Sequence, residues 1–257
     1  MQKGVAALNN VAVVRPVTAT QRFTGWLVHF FTASGACVGL LSLNAIYQHN
    51  LITALWLMAA AILIDAVDGM FARQVRIKEA VPEIDGALLD NVVDFANYTL
   101  IPCFFLLVTD ILPDGLKMIC VMSIMFASAY QFTQVDAKTE DHFFKGFPSY
   151  WNIAVFYLFF WQMSSFTNLV ILFTLAVLSF IPVKYVYPSR LDFLTSNPLL
   201  RMAMGCITLI WGAATAGMLW LYPESNIILV SISMGYCLLY MGISLYRTYN
   251  PLVHSKE

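Results

Sequence analysis

Read for hydropathy, the chain is a succession of apolar stretches separated by short polar breaks. Eight of them are candidate membrane helices, at roughly 26–47, 51–72, 85–108, 115–134, 148–163, 166–183, 200–221 and 226–246. A membrane helix needs about 20 mostly apolar residues, and the fifth and sixth stretches are short by that measure. Strands of a membrane barrel would alternate over about 10 residues, whereas runs such as 169–180 do not alternate. The pattern therefore predicts an all-α fold, a polytopic integral membrane helix bundle. No repeat, low-complexity tract or internal boundary breaks it, so residues 1–257 read as one domain with 1–25 as a cytoplasmic or interfacial lead-in. The apolar run near the start is short and interrupted by Asn9, Asn10 and Arg15, unlike a signal peptide.

Composition agrees. The chain is 60% hydrophobic and 11% charged, against about 25% charged in an average soluble domain. Too little charge is present to cover an aqueous surface, so the bilayer is the expected surrounding. With 14 Lys+Arg against 15 Asp+Glu there is no basic excess to attract a polyanion, and no nucleic acid partner is expected. Placement of the charges says more. If eight helices alternate from a cytoplasmic N-terminus, Lys117 is the one basic residue outside and the other 13 of 14 fall inside. By the positive-inside rule this predicts eight spans with both termini cytoplasmic. The five cysteines form no Cys-x-x-Cys pair, which reads as free buried thiols rather than a zinc or disulfide framework.

Against this apolar background the acids of the second and third helices stand out, because an ionisable group within a membrane costs about 2.5–3.5 kcal/mol on insertion scales. The segment reads AILIDAVDGMFARQVRIKEAVPEIDGALLDNVVDFANYTLIP. Asp65 and Asp68 are spaced i, i+3, and Asp90 and Asp94 i, i+4, so each pair shares one helix face. Gly69 and Ala72 extend the first stripe and Gly86 the second. Two antiparallel helices joined by a short loop bring the stripes together. Four carboxylates at close range need counter-charge, which hard divalent cations supply, and two such ions form a clamp suited to phosphoryl chemistry. The small residues leave space for a ligand beside the carboxylates, and Arg73 can pair with a phosphate. An ion-coupled secondary transporter would account for the acids but not for the Gly, Ala and Arg beside them.

The pattern Asp65-x-x-Asp68-Gly69-x-x-Ala72-Arg73, then twelve residues, then Gly86-x-x-x-Asp90-x-x-x-Asp94 resembles the signature of the CDP-alcohol phosphatidyltransferases at all eight of its positions. The long spacer, together with the segments YQFTQVDAKTEDHFFKGFPSYWN at 130–152 and PVKYVYPSRL at 182–191, is similar to a bacterial branch of that family whose acceptor is choline. The first helix reads HFFTASGACVG, without the Pro-Asn that many members carry there. The resemblance implies a bacterial inner-membrane enzyme that condenses CDP-diacylglycerol with choline to give phosphatidylcholine and CMP, and a homodimer. It implies that Asp65, Asp68, Asp90 and Asp94 hold two divalent cations, Mn2+ or Mg2+, with Asp94 as general base. Gly69, Ala72, Arg73 and Gly86 would form the CDP pocket, with Arg190 as a further phosphate contact. Relatives with serine, inositol or glycerol 3-phosphate as acceptor would share the metal site and differ in the acceptor pocket.

Choline presents a quaternary ammonium without an N–H donor, which proteins hold with aromatic faces. The inner loop 134–152 combines rings with an acid, so Tyr150, Trp151 and Asp141 are candidate choline contacts, with Tyr98, one turn beyond Asp94, as another wall. Aromatic residues also gather at membrane interfaces for their own sake.

Overall fold

A computed structural model describes residues 17–139, 143–186, 195 and 197–250. Arg190 and Asp141 lie outside the described residues, as do residues 1–16 of the lead-in. Helix α1 (Ala19–Tyr47) opens with a capping box in which the Thr18 and Gln21 side chains each accept the other residue's backbone N–H, satisfying two donors of the first turn. Asn50 caps α2 (Leu51–Val75), which ends where Arg76 turns left-handed at φ 55°. After the short α3 (Ile77–Ala80), Asp85 accepts the N–H groups of Ala87 and Leu88 and starts α4 (Gly86–Asp94). A π-helical turn, Phe95–Leu100, joins α4 to α5 (Ile101–Val108) in one rod.

A 3-10 turn, Asp114–Leu116, leads into α6 (Lys117–Thr133). A hairpin of shorter helices follows, α7 (Trp151–Trp161) and α8 (Ser165–Leu178), and then α9 (Pro198–Leu221) and α10 (Ile227–Tyr249). Two short strands, β1 (Phe144–Lys145) and β2 (Lys184–Tyr185), pair antiparallel with Phe144 opposite Tyr185. They tie the segment before α7 to the segment after α8.

Among the described residues six helical rods are long and apolar enough to cross a membrane, and α7 and α8 are shorter apolar helices of 11 and 14 residues. At about 1.5 Å per residue these two rise about 17 and 21 Å, less than the roughly 30 Å hydrocarbon layer. The fifth apolar stretch is cut short at both ends. Residues 147–150 run outside any helix, with Ser149 at φ 58°, and Gln162 turns left-handed at φ 50°. All-helical architecture and outward-facing large apolar side chains, such as Leu63, Phe126, Leu209 and Trp220, make this a polytopic membrane bundle.

The packing that positions the acids is between α1, α2 and the α4–α5 rod. Gly35 and Gly39 lie one turn apart on α1, and a Cβ there would come within 2.9 Å of Val93 and 2.4 Å of Asn97. Small residues at this spacing let membrane helices approach closely. The Asn97 side-chain amide donates to the Gly35 carbonyl at 3.1 Å, fixing the π-helical turn against α1. A second core of Phe105, Leu106, Ile124, Trp151, Val155 and Leu172 is fully or almost fully buried and anchors α5 to α6, α7 and α8.

Candidate active site

The acids of α2 and α4 meet as the stripes require. Asp65, Asp68 and Asp90 each present a carboxylate oxygen, and these oxygens all lie within 4.8 Å of one another. Asp94 borders the same cavity as Asp65 and Asp90. That cavity, about 340 Å³, is closed on the far side by the end of α6 and the loop leading to α7. Oxygen-only donors at this spacing are the set that a hard divalent cation takes. The donors are also oriented. Tyr98, buried on the π-helical turn, donates its hydroxyl to Asp65 Oδ2 at 2.7 Å. Asp68 is almost fully buried.

The remaining motif positions divide into two kinds. A Cβ on Gly69 would meet only Arg73 Nη1, at 3.5 Å, and the Arg73 side chain is exposed nearby. Ala72 is half-buried on the same helix. A Cβ on Gly86 would stand 3.0 Å from His29 Cε1, so that glycine admits the imidazole of α1. His29 is buried, with no hydrogen-bond partner for Nε2.

Of the aromatic residues that sequence reading offered for the acceptor, Tyr98 and Tyr150 border the cavity, with ring centroids 6.1 Å apart. Phe144 completes the wall, its ring 6.0 Å from Tyr150 and nearly perpendicular to it. Trp151 is not brought to the cavity. It is fully buried, donates its indole N–H to Ser128 Oγ at 2.7 Å and packs edge-on against Phe147. As the first residue of α7 it points one helical step away from Tyr150, into the core; adjacency in sequence concealed this.

Sequence reading also passed over Lys138, which borders the cavity and acts electrostatically on Asp65, Asp90 and Asp94. It lies on a loop without helical periodicity, where only its charge was visible. Pairing of Lys138 with Phe144 and the Thr139–Phe143 and Lys145–Ala137 backbone hydrogen bonds bring it in. The same loop is tethered at its rim by the Lys145 ammonium, 2.6 Å from Asp136. That hydrogen bond, helped by Gln134, holds the Asp136 carboxyl below its ordinary range, and it holds the Lys145 ammonium above its own.

Two helices that bring Asp65, Asp90 and Asp94 to one cavity beside Lys138, with Asp68 clustered against Asp65 and Asp90, define a site for a phosphate-rich ligand. Comparison with known proteins agrees. A profile of the CDP-alcohol phosphatidyltransferases matches residues 26–181, and the chain belongs to that family. Among its relatives, the phosphatidylcholine synthase of Legionella pneumophila is 52% identical over 242 residues, covering 94% of this chain and 95% of its own. The phosphatidylcholine synthase of Borreliella burgdorferi is 44% identical over 165 residues, 64% of this chain and 70% of its own. That of Pseudomonas aeruginosa is 29% identical over 233 residues, 90% of this chain and 95% of its own.

Proposed function

We propose that the chain transfers the phosphatidyl group of CDP-diacylglycerol to choline, yielding phosphatidylcholine and CMP. The site faces the cytoplasm of a bacterial inner membrane, in a bundle of six spanning rods and the shorter α7–α8 hairpin, with both termini inside, that works as a homodimer. The observation that carries the reading is the union, in one cavity, of Asp65, Asp90 and Asp94 with an aromatic wall of Tyr98, Tyr150 and Phe144, Asp68 being clustered with Asp65 and Asp90. Carboxylates suit metal-bound diphosphate, and ring faces suit a quaternary ammonium. Relatives of high coverage that carry the synthase name support the same acceptor.

Bound at the four carboxylates, two divalent cations, Mn2+ or Mg2+, supply charge stabilisation for the diphosphate and for CMP as it departs. Arg73 and Lys138, with Arg190, pair with phosphate oxygens of the lipid. Gly69 and Ala72 let the cytidine diphosphate lie close to α2, while Gly86 lets the His29 imidazole pack against α4. The aromatic wall, with Asp141, holds the choline trimethylammonium and directs its hydroxyl inward. Asp94 takes the hydroxyl proton. The choline oxygen bonds to the phosphorus that bears the diacylglycerol, and the bond from that phosphorus to the CMP oxygen breaks. Tyr98 keeps Asp65 in place throughout.

The test is CMP release by detergent-purified protein given CDP-diacylglycerol and Mn2+, with choline, serine, inositol and glycerol 3-phosphate supplied singly. Release with choline alone, abolished by EDTA, is the expected result. Release with a different acceptor alone would overturn the choline assignment and leave the carboxylate site standing.

A further inference from the structure

A second cavity, about 230 Å³, lies among α7, α8, α9 and α10, and Tyr150 belongs to its wall as well as to the wall of the carboxylate cavity. Its lining follows α7 from Tyr150 to Trp161, a rise of about 16 Å at about 1.5 Å per residue. One leaflet of a hydrocarbon layer of about 30 Å is about 15 Å deep, so the slot has the length of an acyl chain in one leaflet. It is also apolar by construction. Four of its rings have their polar ends tied to protein: Tyr157 to Thr215 at 2.8 Å, Trp161 to Ser233 at 3.1 Å, Tyr236 to Thr208 at 3.2 Å and Tyr240 to the Val186 carbonyl at 2.9 Å, whereas the buried Trp211 indole nitrogen has no hydrogen-bond partner among the described residues. What remains facing the space is ring surface and aliphatic side chain, including Ala154, Ile171 and Met241. Helices α9 and α10 supply Trp211, Tyr236, Cys237, Tyr240 and Met241, and both helices lie beyond residue 181, where the family match ends.

We infer that this slot holds one acyl chain of the CDP-lipid, and that the C-terminal hairpin α9–α10 is thereby part of the substrate site. The inference rests on the proposed lipid substrate. A ligand whose phosphates sit among the carboxylates and whose tail is hydrocarbon needs a polar cavity and an apolar one that adjoin. Here they adjoin at Tyr150. Choline does not match the slot, since it is short and needs no apolar channel of leaflet depth.

The experiment uses the full chain in detergent and CDP-diacylglycerol carrying a photoreactive diazirine at the end of one acyl chain. After illumination, labelled peptides are mapped by mass spectrometry, and CMP release with choline is measured on the same preparation. Label at 157–161 and 236–241, reduced at least fivefold by excess unmodified CDP-diacylglycerol, is expected. Label confined to outward-facing positions such as Leu209 and Trp220, with CMP release intact, would overturn the slot and leave the activity. Label in the slot without choline-dependent CMP would keep the slot and overturn the acceptor; no label and no CMP would overturn both.

Substitution gives an independent readout. Ala154→Phe should raise KM for a long-chain CDP-diacylglycerol about tenfold while leaving a dibutyryl substrate within twofold. Met241→Trp, filling the slot from α10, should do the same. An equal effect on both substrates, or none on either, would contradict the inference.

Discussion

Replacing Tyr98 with Phe separates two jobs that one side chain is assigned. The ring, which borders the acceptor side of the cavity, is retained, and the hydroxyl that donates to Asp65 Oδ2 at 2.7 Å is removed. Hydrogen bonds to charged groups contribute about 1.5–3 kcal/mol, and loss of a partner that orients a metal ligand costs about 10–100-fold in metal affinity. A tenfold change corresponds to about 1.4 kcal/mol, so the two figures agree. Tyr98→Phe is therefore expected to weaken Mn2+ binding about 10–100-fold, measured on purified protein by the loss of the free-ion Mn2+ resonance on titration. At saturating Mn2+ the KM for choline should stay within about twofold, because the aromatic face is unchanged. Unaltered Mn2+ affinity would refute the role given to the hydroxyl. A large rise in choline KM with normal Mn2+ affinity would refute the division of labour between hydroxyl and ring.

Further outcomes follow from the same geometry. Lys138→Ala should raise KM for CDP-diacylglycerol about tenfold, the scale of one charge-assisted phosphate contact at about 1.5–3 kcal/mol, with choline KM unchanged; a choline-specific defect would place the lysine elsewhere in the reaction. Trp151→Phe leaves the buried Ser128 hydroxyl without its 2.7 Å partner and should destabilise the protein by about 1–3 kcal/mol, seen as a lower thermal midpoint in detergent, with choline KM unaltered; raised choline KM at unchanged stability would return Trp151 to the acceptor site. The Asp136–Lys145 tether depends on an acid titrating below its ordinary range and a base titrating above its own. Its contribution is present above the unfolded Asp value and lost as pH falls through the lowered folded one; on the basic side it is lost only as pH rises through the raised Lys value. The protection that the tether gives Lys145 against trypsin should accordingly not vary with pH between about pH 6 and 9, and cleavage after Lys145 should be faster at every pH in that range in Asp136→Asn. A tether effect that rises or falls with pH within the range would contradict the sign.

The helices were legible because long apolar runs leave few alternatives in a bilayer; the ends of α2, α9 and α10 lie close to where hydropathy puts them, whereas α1 ends as expected but begins at Ala19 rather than near residue 26. The α4–α5 rod was legible as one stretch, but the π-helical turn within it was not, since it depends on Asn97 reaching Gly35 across the α1 interface. The lengths of α7 and α8 were likewise hidden, because apolar residues continue past their ends while the backbone turns at Ser149 and Gln162. In the site, helical spacing sufficed for Asp65, Asp68, Asp90 and Asp94, whose acids are costly within a membrane and so stand out. Lys138, Phe144 and His29 carry no such signal. Lys138 and Phe144 reach the cavity by loop pairing, and His29 meets Gly86 by the close approach of α1 to α4; neither contact leaves a periodic mark. Trp151 shows the opposite error, an aromatic residue in an aromatic loop whose partner, Ser128, is 23 residues away.

The central claim is that these carboxylates move choline into lipid. Its most direct measurement follows labelled choline into the organic phase in proteoliposomes containing CDP-diacylglycerol and Mn2+, for the unaltered chain and for Asp94→Asn, with CMP counted in parallel. The account expects one labelled phosphatidylcholine per CMP, and loss of both by at least about 100-fold in Asp94→Asn, the low end of what a general base contributes. CMP formed without labelled lipid, or transfer undiminished in Asp94→Asn, would contradict it.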